Sequence, residues 1–301
     1  MQKDWQKVAP WFLDYNLDVV CPKVDERLEE PELLELMGEI DGVICGDDRF
    51  TPQVIDAAGK LKVIVKWGTG IDSIDKEYAE SKGIAVKNTL DAFTEPVSDS
   101  ALAYMLSFCR KISESDRILK SGGWDKPGGV TLGELTIGII GLGRIGSRVA
   151  EKLQGFGSRV LASDIREIKQ AAALGVTMVP LQDLLRNSDI VTLHCDLNPT
   201  SRKIIDRKRL SWMKPEALLI NTARGPLVEE AALIDTLSSN RLAGAALDVF
   251  EFEPLAKNSP LRDMHQVMLA AHASNASAKY WQRVHENSFR MLIEVLNPCR
   301  K

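Results

Sequence analysis

No stretch of this chain approaches the roughly 20 consecutive apolar residues that a membrane span requires. The opening residues Met1-Gln2-Lys3-Asp4-Trp5 carry no apolar signal-peptide core, so a cytoplasmic location is expected. Cysteine is scarce and scattered. Cys21, Cys45, Cys109, Cys195 and Cys299 are odd in number and form no CxxC pair, which speaks against both a disulfide framework and a zinc site. No metal is expected, and most of the thiols are expected to be buried. An excess of basic residues is missing too: the net charge is -4, with Lys and Arg spread along the chain, so neither nucleic acid nor a membrane surface is an expected partner. What the chain does have is bulk, because 301 residues at 45% hydrophobic content can bury a large core and divide into two domains.

Short apolar runs alternate with helical patterns throughout, the arrangement of parallel-sheet α/β architecture. Strands are expected at Leu17 to Val20, Gly42 to Cys45, Val63 to Val65 and Ile84 to Val86, with helices at Pro52 to Ala58 and Asp75 to Ser81. This set is large enough to form a domain of its own. A long helical pattern from Val97 to about Lys120, with Leu102, Met105, Leu106 and Ile112 on it, suits a buried interdomain or intersubunit helix. Further strands are expected at Thr136 to Ile140, Arg159 to Ser163, Thr177 to Val179, Ile190 to Leu193, Ala217 to Ile220, Ala245 to Leu247 and Val267 to Ala270. A last helix, Ala276 to Leu296, is expected to return to the first domain. The expectation is two doubly wound domains, residues 1–92 with 274–301 and residues 93–273, hinged by two crossings with the active site in the cleft.

Gly141-Leu142-Gly143-Arg144-Ile145-Gly146 is the most informative stretch. A GxGxxG alone is weak, but here an apolar strand leads in, an amphipathic helix leads out, and Asp164 closes a second strand about 18 residues later, which together make the dinucleotide fingerprint. Gly141 permits the tight turn, Gly143 lets the backbone approach a pyrophosphate, and Gly146 lets the helix pack on the sheet. Asp164 should accept hydrogen bonds from ribose hydroxyls and repel a 2′-phosphate, which favours NAD over NADP, although Arg166 nearby softens that repulsion.

Several polar residues follow apolar runs: His194, Asn221, Asp248 and His272. In an open α/β sheet the carboxyl ends of strands line the ligand crevice. A hydride transfer at a carbon bearing oxygen needs a proton donor and a cation for the substrate's anionic group. Among the four histidines, His272 is best placed to exchange the proton. Taken singly, His272 also fits a structural strand end, Arg224 a surface ion pair and Glu253 a helix-end cap beside Pro254. Their company is what favours chemistry. Asn221-Thr222-Ala223-Arg224-Gly225-Pro226-Leu227-Val228-Glu229-Glu230, then Ala246-Leu247-Asp248-Val249-Phe250-Glu251-Phe252-Glu253-Pro254-Leu255, then Ala271-His272 occur in that order. In this order the segments resemble the D-isomer-specific 2-hydroxyacid dehydrogenases, from about Val43 to Leu296.

The resemblance implies a Rossmann NAD-binding domain, a flavodoxin-like substrate domain, and a catalytic triad of Arg224, Glu253 and His272. It also implies that Trp67-Gly68-Thr69-Gly70 presents backbone amides to a substrate carboxylate. Asp248 would hold the nicotinamide carboxamide, and His194, Thr222 and Ala223 would join Gly141, Gly143, Arg144, Ile145, Gly146 and Asp164 around NAD. Arg224 can grip a carboxylate bidentately and polarise the adjacent carbonyl. His272 would exchange the proton, and Glu253 would orient the imidazole and favour its protonated form. A homodimer acting on a small 2-hydroxy or 2-oxo acid is implied. An NAD(H)-sensing scaffold similar to the C-terminal-binding-protein corepressors is the alternative, disfavoured by the absence of extended disordered or basic segments. Glu253 also separates the chain from formate dehydrogenases, where glutamine is expected.

Departures from the family pattern bear on the substrate. Ala271 stands where proline usually precedes the histidine, Asn275 replaces a small residue, and Asp196 takes the place of a proline. The turn Gly46-Asp47-Asp48-Arg49-Phe50-Thr51 is acidic where phosphoglycerate dehydrogenases commonly carry arginines, so a phosphorylated substrate is disfavoured, with Arg49 and Lys66 as the residues able to compensate. No first strand is legible before Leu17, and no regulatory domain is expected after the last helix.

Overall fold

The computed structural model describes residues 4–24 and 26–297, so Cys299 lies outside the described residues. The chain separates into two compact units, residues 1–93 with 277–301 and residues 94–276.

The first unit opens with helix α1 (Trp5–Leu13) and continues through α2 (Glu30–Leu36), β1 (Gly42–Cys45), α3 (Pro52–Ala57), β2 (Val63–Lys66), α4 (Lys76–Ser81) and β3 (Ala85–Asn88). Helix starts follow their capping chemistry. The Thr51 hydroxyl accepts the Val54 amide with Pro52 in the first turn, and the Asp75 carboxylate accepts the Tyr78 amide at 3.0 Å. The three strands are parallel in the order β1-β2-β3. The expected strand Leu17 to Val20 does not form: the segment carries no regular structure, with Val19 and Val20 exposed. It has strand-forming side chains but no ladder partner for its backbone, and apolar content alone does not make a strand.

The second unit begins with α5 (Thr94–Cys109) and α6 (Ile112–Lys120). The single long helix expected over 97–120 is therefore two, because Lys111 takes a left-handed conformation (φ 55°) that an α-helix cannot contain. Met105 is fully buried as expected, whereas Ile112 is exposed. Then come β4 (Thr136–Ile140), α7 (Arg144–Gln154), β5 (Arg159–Ser163), β6 (Val176–Met178), α8 (Leu181–Asn187), β7 (Ile190–Leu193), α9 (Arg207–Leu210), β8 (Leu218–Asn221), α10 (Glu230–Ser238), β9 (Gly244–Leu247) and β10 (Val267–Leu269). The seven parallel strands run in the order β10-β9-β8-β7-β4-β5-β6. Strand order reverses between β4 and β7, the switch point at which open α/β sheets bind ligands. Strands β7, β8 and β9 are buried at every position, as expected of strands covered on both faces. One face packs Ile137 and Ile139 with Met105, Val149 and Leu153. The other packs Leu161, Val191 and Leu219 with Leu184, Leu233 and Leu237.

Helix α11 (Ala278–Leu296) returns to the first unit and covers β1 and β2. Strand alternation then places Val63 and Val65 with Val8, Phe12 and Leu292, and Ile64 with Leu33, Val54 and Ile55 on the opposite face. Both sheets are thus sandwiched between helices, a doubly wound α/β architecture. Among the described residues, no helix is long and apolar enough to cross a membrane. Of the cysteines, Cys45 and Cys109 are buried, Cys195 is half-buried, and Cys21 is exposed.

Candidate active site

Strand β4 ends at Ile140, and the chain turns at Gly141 with φ at +90°. A Cβ on Gly141 would stand 2.6 Å from the Cys195 amide nitrogen, and one on Gly146 would stand 2.1 Å from the Gly141 carbonyl oxygen. Neither position admits a side chain. Gly143 differs: a Cβ there would meet only Arg166 Nη2, at 3.8 Å. Gly143 caps α7 without a side-chain hydrogen bond, so the helix, which begins with exposed Arg144 and half-buried Ile145, turns the positive end of its dipole toward a ligand at the glycine turn.

The Asp164 carboxylate, 5% exposed, accepts the Leu142 amide at 2.8 Å and the Arg166 amide at 2.9 Å. The fingerprint acid is thus tied directly to the glycine turn. Burial alone would raise its pKa, but the Arg166 side chain and the amides outweigh burial and lower it, so the charge persists. Across the switch point, His194 Nε2 lies 2.9 Å from the Thr192 hydroxyl, and burial pushes its pKa down to about 3. The ring is therefore neutral at working pH. His194 Nδ1 and the Thr222 hydroxyl are buried with no hydrogen-bond partner. Buried polar atoms left without partners call for a ligand. Two of them stand at the ends of β7 and β8, and together with the uncapped glycine turn they fit a dinucleotide.

The catalytic candidates lie on the same edge of the sheet. Asn221, 1% exposed, closes the turn after β8: its Nδ2 donates to the Arg224 carbonyl at 2.8 Å and its Oδ1 accepts the Ala223 amide at 3.1 Å. Half-buried Arg224 donates from Nη1 to the Ala223 carbonyl at 2.9 Å. A Cβ on Gly225 would stand 1.8 Å from the Phe250 carbonyl oxygen, so the loop that carries Arg224 is locked against the loop that carries Glu253. A second tie joins them, since the Glu251 amide donates to Glu230 Oε2 at 3.1 Å. Burial raises the Glu230 pKa.

His272 Nδ1 lies 2.9 Å from Glu253 Oε2, while Glu253 Oε1 accepts the Phe250 amide at 2.9 Å. An ionised carboxylate only accepts, so Nδ1–H donates and the imidazole is held in one orientation. The His272 backbone is left-handed, with φ at 47°, a conformation that costs a non-glycine residue about 1–3 kcal/mol. Asp248 holds it there. Its carbonyl accepts the His272 amide at 2.8 Å, and its carboxylate accepts the Ala273 and Ser274 amides at 2.8 and 3.0 Å. Asp248 is 1% exposed. Asp248 thus anchors the His272 turn, an arrangement that sequence could not reveal because the partners are backbone amides 25 and 26 positions on.

In the first unit, the 67–70 loop extends β2. The Trp67 amide donates to the Cys45 carbonyl at 2.8 Å, and the Gly68 amide donates to the Thr89 hydroxyl at 3.0 Å. These two expected donors are already engaged. The amides of Thr69 and Gly70 have no protein acceptor among the described residues. The acidic turn is likewise committed. The Asp48 carboxylate accepts the Leu28 and Gly46 amides at 2.7 and 2.8 Å, and Asp47 pairs at 2.5 Å with Lys66, which is 3% exposed. Arg49 lies 3.7 Å from Glu29.

Known proteins resemble this chain in sequence and fold. Residues 102–274 match the D-isomer specific 2-hydroxyacid dehydrogenase, NAD binding domain. A glyoxylate reductase from Thermofilum pendens is 40% identical over 287 residues, covering 92% of this chain and 85% of that protein. A D-3-phosphoglycerate dehydrogenase from Methanocaldococcus jannaschii is 39% identical over 255 residues, which is 83% of this chain but 48% of the longer relative. The crystal structure of a D-lactate dehydrogenase from Aquifex aeolicus complexed with NAD and lactic acid superposes with a TM-score of 0.86 at 25% identity, covering 97% of this chain and 93% of that one. With the dinucleotide fingerprint and the switch-point topology beside them, these matches make the chain an NAD-dependent oxidoreductase that belongs to the D-isomer-specific 2-hydroxyacid dehydrogenases.

Proposed function

We propose that the chain reduces a small, unphosphorylated 2-oxo acid with NADH, using Arg224, Glu253 and His272. The observation that carries this reading is the His272–Glu253 pair at 2.9 Å, held on a strained turn at the same sheet edge as Arg224 and the NAD fingerprint. Bound NADH supplies the hydride to the carbonyl carbon. Arg224 binds the carboxylate and polarises the carbonyl, drawing negative charge toward the oxygen. His272, with Nδ1 committed to Glu253, gives its Nε2 proton to that oxygen and takes one back in the reverse direction. Glu253 stabilises the imidazolium that donates the proton. Thr69 and Gly70 are the proposed amide donors to the carboxylate, with Trp67 and Gly68 as their support. Gly141, Gly143, Arg144, Ile145, Gly146, Asp164, His194, Thr222, Ala223 and Asp248 are the proposed NAD contacts.

The restriction to unphosphorylated acids rests on the acidic turn. Asp47 already neutralises Lys66, so the cation best able to receive a phosphate has its charge spent, and the Asp48 carboxylate remains to repel one. In a panel of glyoxylate, hydroxypyruvate, phosphohydroxypyruvate and a bulky apolar 2-oxo acid, with Arg224→Ala as blank, glyoxylate or hydroxypyruvate should exceed phosphohydroxypyruvate in kcat/KM by at least about tenfold. Preference for the phosphorylated acid would overturn this assignment.

A homodimer is proposed on the apolar surface of the second unit. Helix α6 buries none of its residues, and Ile112, Leu119 and Trp124 are exposed at 56%, 53% and 85%, a grouping that points to a partner surface. Light scattering should give about twice the 33.3 kDa chain mass; a monomeric mass would refute the proposal.

A further inference from the structure

A histidine outside the catalytic set is bonded to the residue that begins the 67–70 loop. The Trp67 Nε1–H donates to His285 Nδ1 at 2.8 Å, although the two residues lie 218 positions apart. An indole N–H can only donate. His285 Nδ1 must therefore be unprotonated, which places the ring proton on Nε2, 3.3 Å from Asp4 Oδ2. Asp4 in turn pairs with Lys7 at 2.6 Å. The result is one directional chain, Trp67 to His285 to Asp4, with the imidazole neutral. Burial lowers the His285 pKa, and Asp4 opposes that only in part. The His285 side chain is 5% exposed. The indole is also enclosed by rings, with centroids 5.5 Å from Phe93, 6.4 Å from Trp281 and 5.5 Å from His285.

We infer that His285 is a positioning residue for substrate binding: by accepting the Trp67 indole N–H it fixes the side chain from which the Thr69 and Gly70 amides are suspended. Trp67 is where the regular ladder ends. Its amide is the last to bond to β1, and Gly68 follows at φ 141°, a conformation open to glycine, whose missing Cβ leaves the chain little intrinsic directional preference at this point. On one side the loop is tied to the 88–89 segment: Gly68 exchanges hydrogen bonds with Thr89, the Thr69 hydroxyl donates to the Thr89 carbonyl at 3.2 Å, and Asn88 Nδ2 donates to the Thr69 carbonyl at 2.6 Å. The indole adds the tie to α11. A packed ring can slide or turn about its χ angles, whereas a donor that must meet one acceptor cannot. His285 makes no contact with reacting atoms, so its removal should weaken substrate binding and leave the chemical step intact. The inference rests on the proposed role of residues 67–70 as carboxylate receptor, and the test separates the two.

The experiment measures steady-state reduction of glyoxylate at saturating NADH, with NADH affinity and thermal unfolding measured alongside, for Trp67→Phe, His285→Leu, their double variant, His285→Asn and Gly68→Ala. Losing one hydrogen bond should raise the glyoxylate KM about tenfold in both Trp67→Phe and His285→Leu, with kcat and NADH affinity within about twofold of the parent. The double variant should be no worse than the worse single one, because both remove the same bond. His285→Asn keeps an acceptor at the Nδ1 position and should restore KM to within about twofold of the parent. If His285→Asn is as impaired as His285→Leu, if the single effects multiply in the double variant, or if kcat falls in place of a rise in KM, the inference is wrong. If only Gly68→Ala raises KM, the loop binds substrate but His285 does not position it. If none of the variants changes KM, the loop is not the carboxylate receptor, and both readings fall together.

Discussion

Arg224→Ala should lower kcat/KM for 2-oxo acid reduction by about 10³-fold while leaving NADH affinity within about twofold. The loss has two parts. The carboxylate forfeits a charge-assisted, forked hydrogen-bond pair, and the developing oxyanion forfeits the cation that stabilises it. Arg224→Lys should recover charge but not the fork, and so should fall between the parent and the alanine variant. Asn221 sharpens this expectation, since its side chain already clamps the Arg224 carbonyl and the Ala223 amide. The turn stays formed when the guanidinium is removed, so the measured loss reports on the side chain. Single-turnover and steady-state kinetics at saturating NADH provide the check, and a loss confined to KM with kcat unchanged would remove Arg224 from the chemistry.

His272→Asn should cost a comparable 10²- to 10⁴-fold in kcat, the range for a positioned general acid. Glu253→Gln should cost less and show its effect in the pH profile. A carboxylate 2.9 Å from Nδ1 favours the imidazolium over the neutral ring through its charge and hydrogen bond. Reduction requires the protonated form and is lost as pH rises through the histidine's pKa. Removing the Glu253 charge withdraws that stabilisation, so the alkaline limb of the reduction profile should move to lower pH. Oxidation of the 2-hydroxy acid, which needs the neutral ring, should instead reach its plateau at lower pH. An alkaline limb that stays in place would deny Glu253 this role, and a His272→Asn variant with near-parental kcat would deny the histidine its own.

The sequence carried the second unit almost whole. Each of its strands is a short apolar run, and the Gly141–Gly146 fingerprint is local, so one turn's steric demands are written into adjacent residues. The strand ends shift by a residue or two, as at β6 and β8, where ladder bonding sets the boundary. Leu17 to Val20 misled because strand-like composition says nothing about whether a neighbouring edge is available. The 97–120 pattern misled because a single left-handed residue, Lys111, breaks the helix without breaking its periodicity.

The candidate residues were legible as chemical types at strand ends: an arginine, a carboxylate, a histidine and an acid after the second strand. Their assignments to one another were not. Asp248 holds the His272 turn, Glu230 holds the Glu251 amide, and His285 receives the Trp67 indole. Each of these bonds joins residues about 20 to more than 200 positions apart, and a hydrogen bond is set by distance and angle in space rather than by spacing along the chain. The sequence by itself determined the fold class, the NAD fingerprint and the chemical types of the candidate residues, because glycine sterics, apolar periodicity and side-chain chemistry are properties of single residues and their near neighbours. Only the tertiary structure decided which amides are already spent, which polar atoms are left waiting, and which side chains hold the reacting ones in place, because those depend on what packing brings within 3 Å.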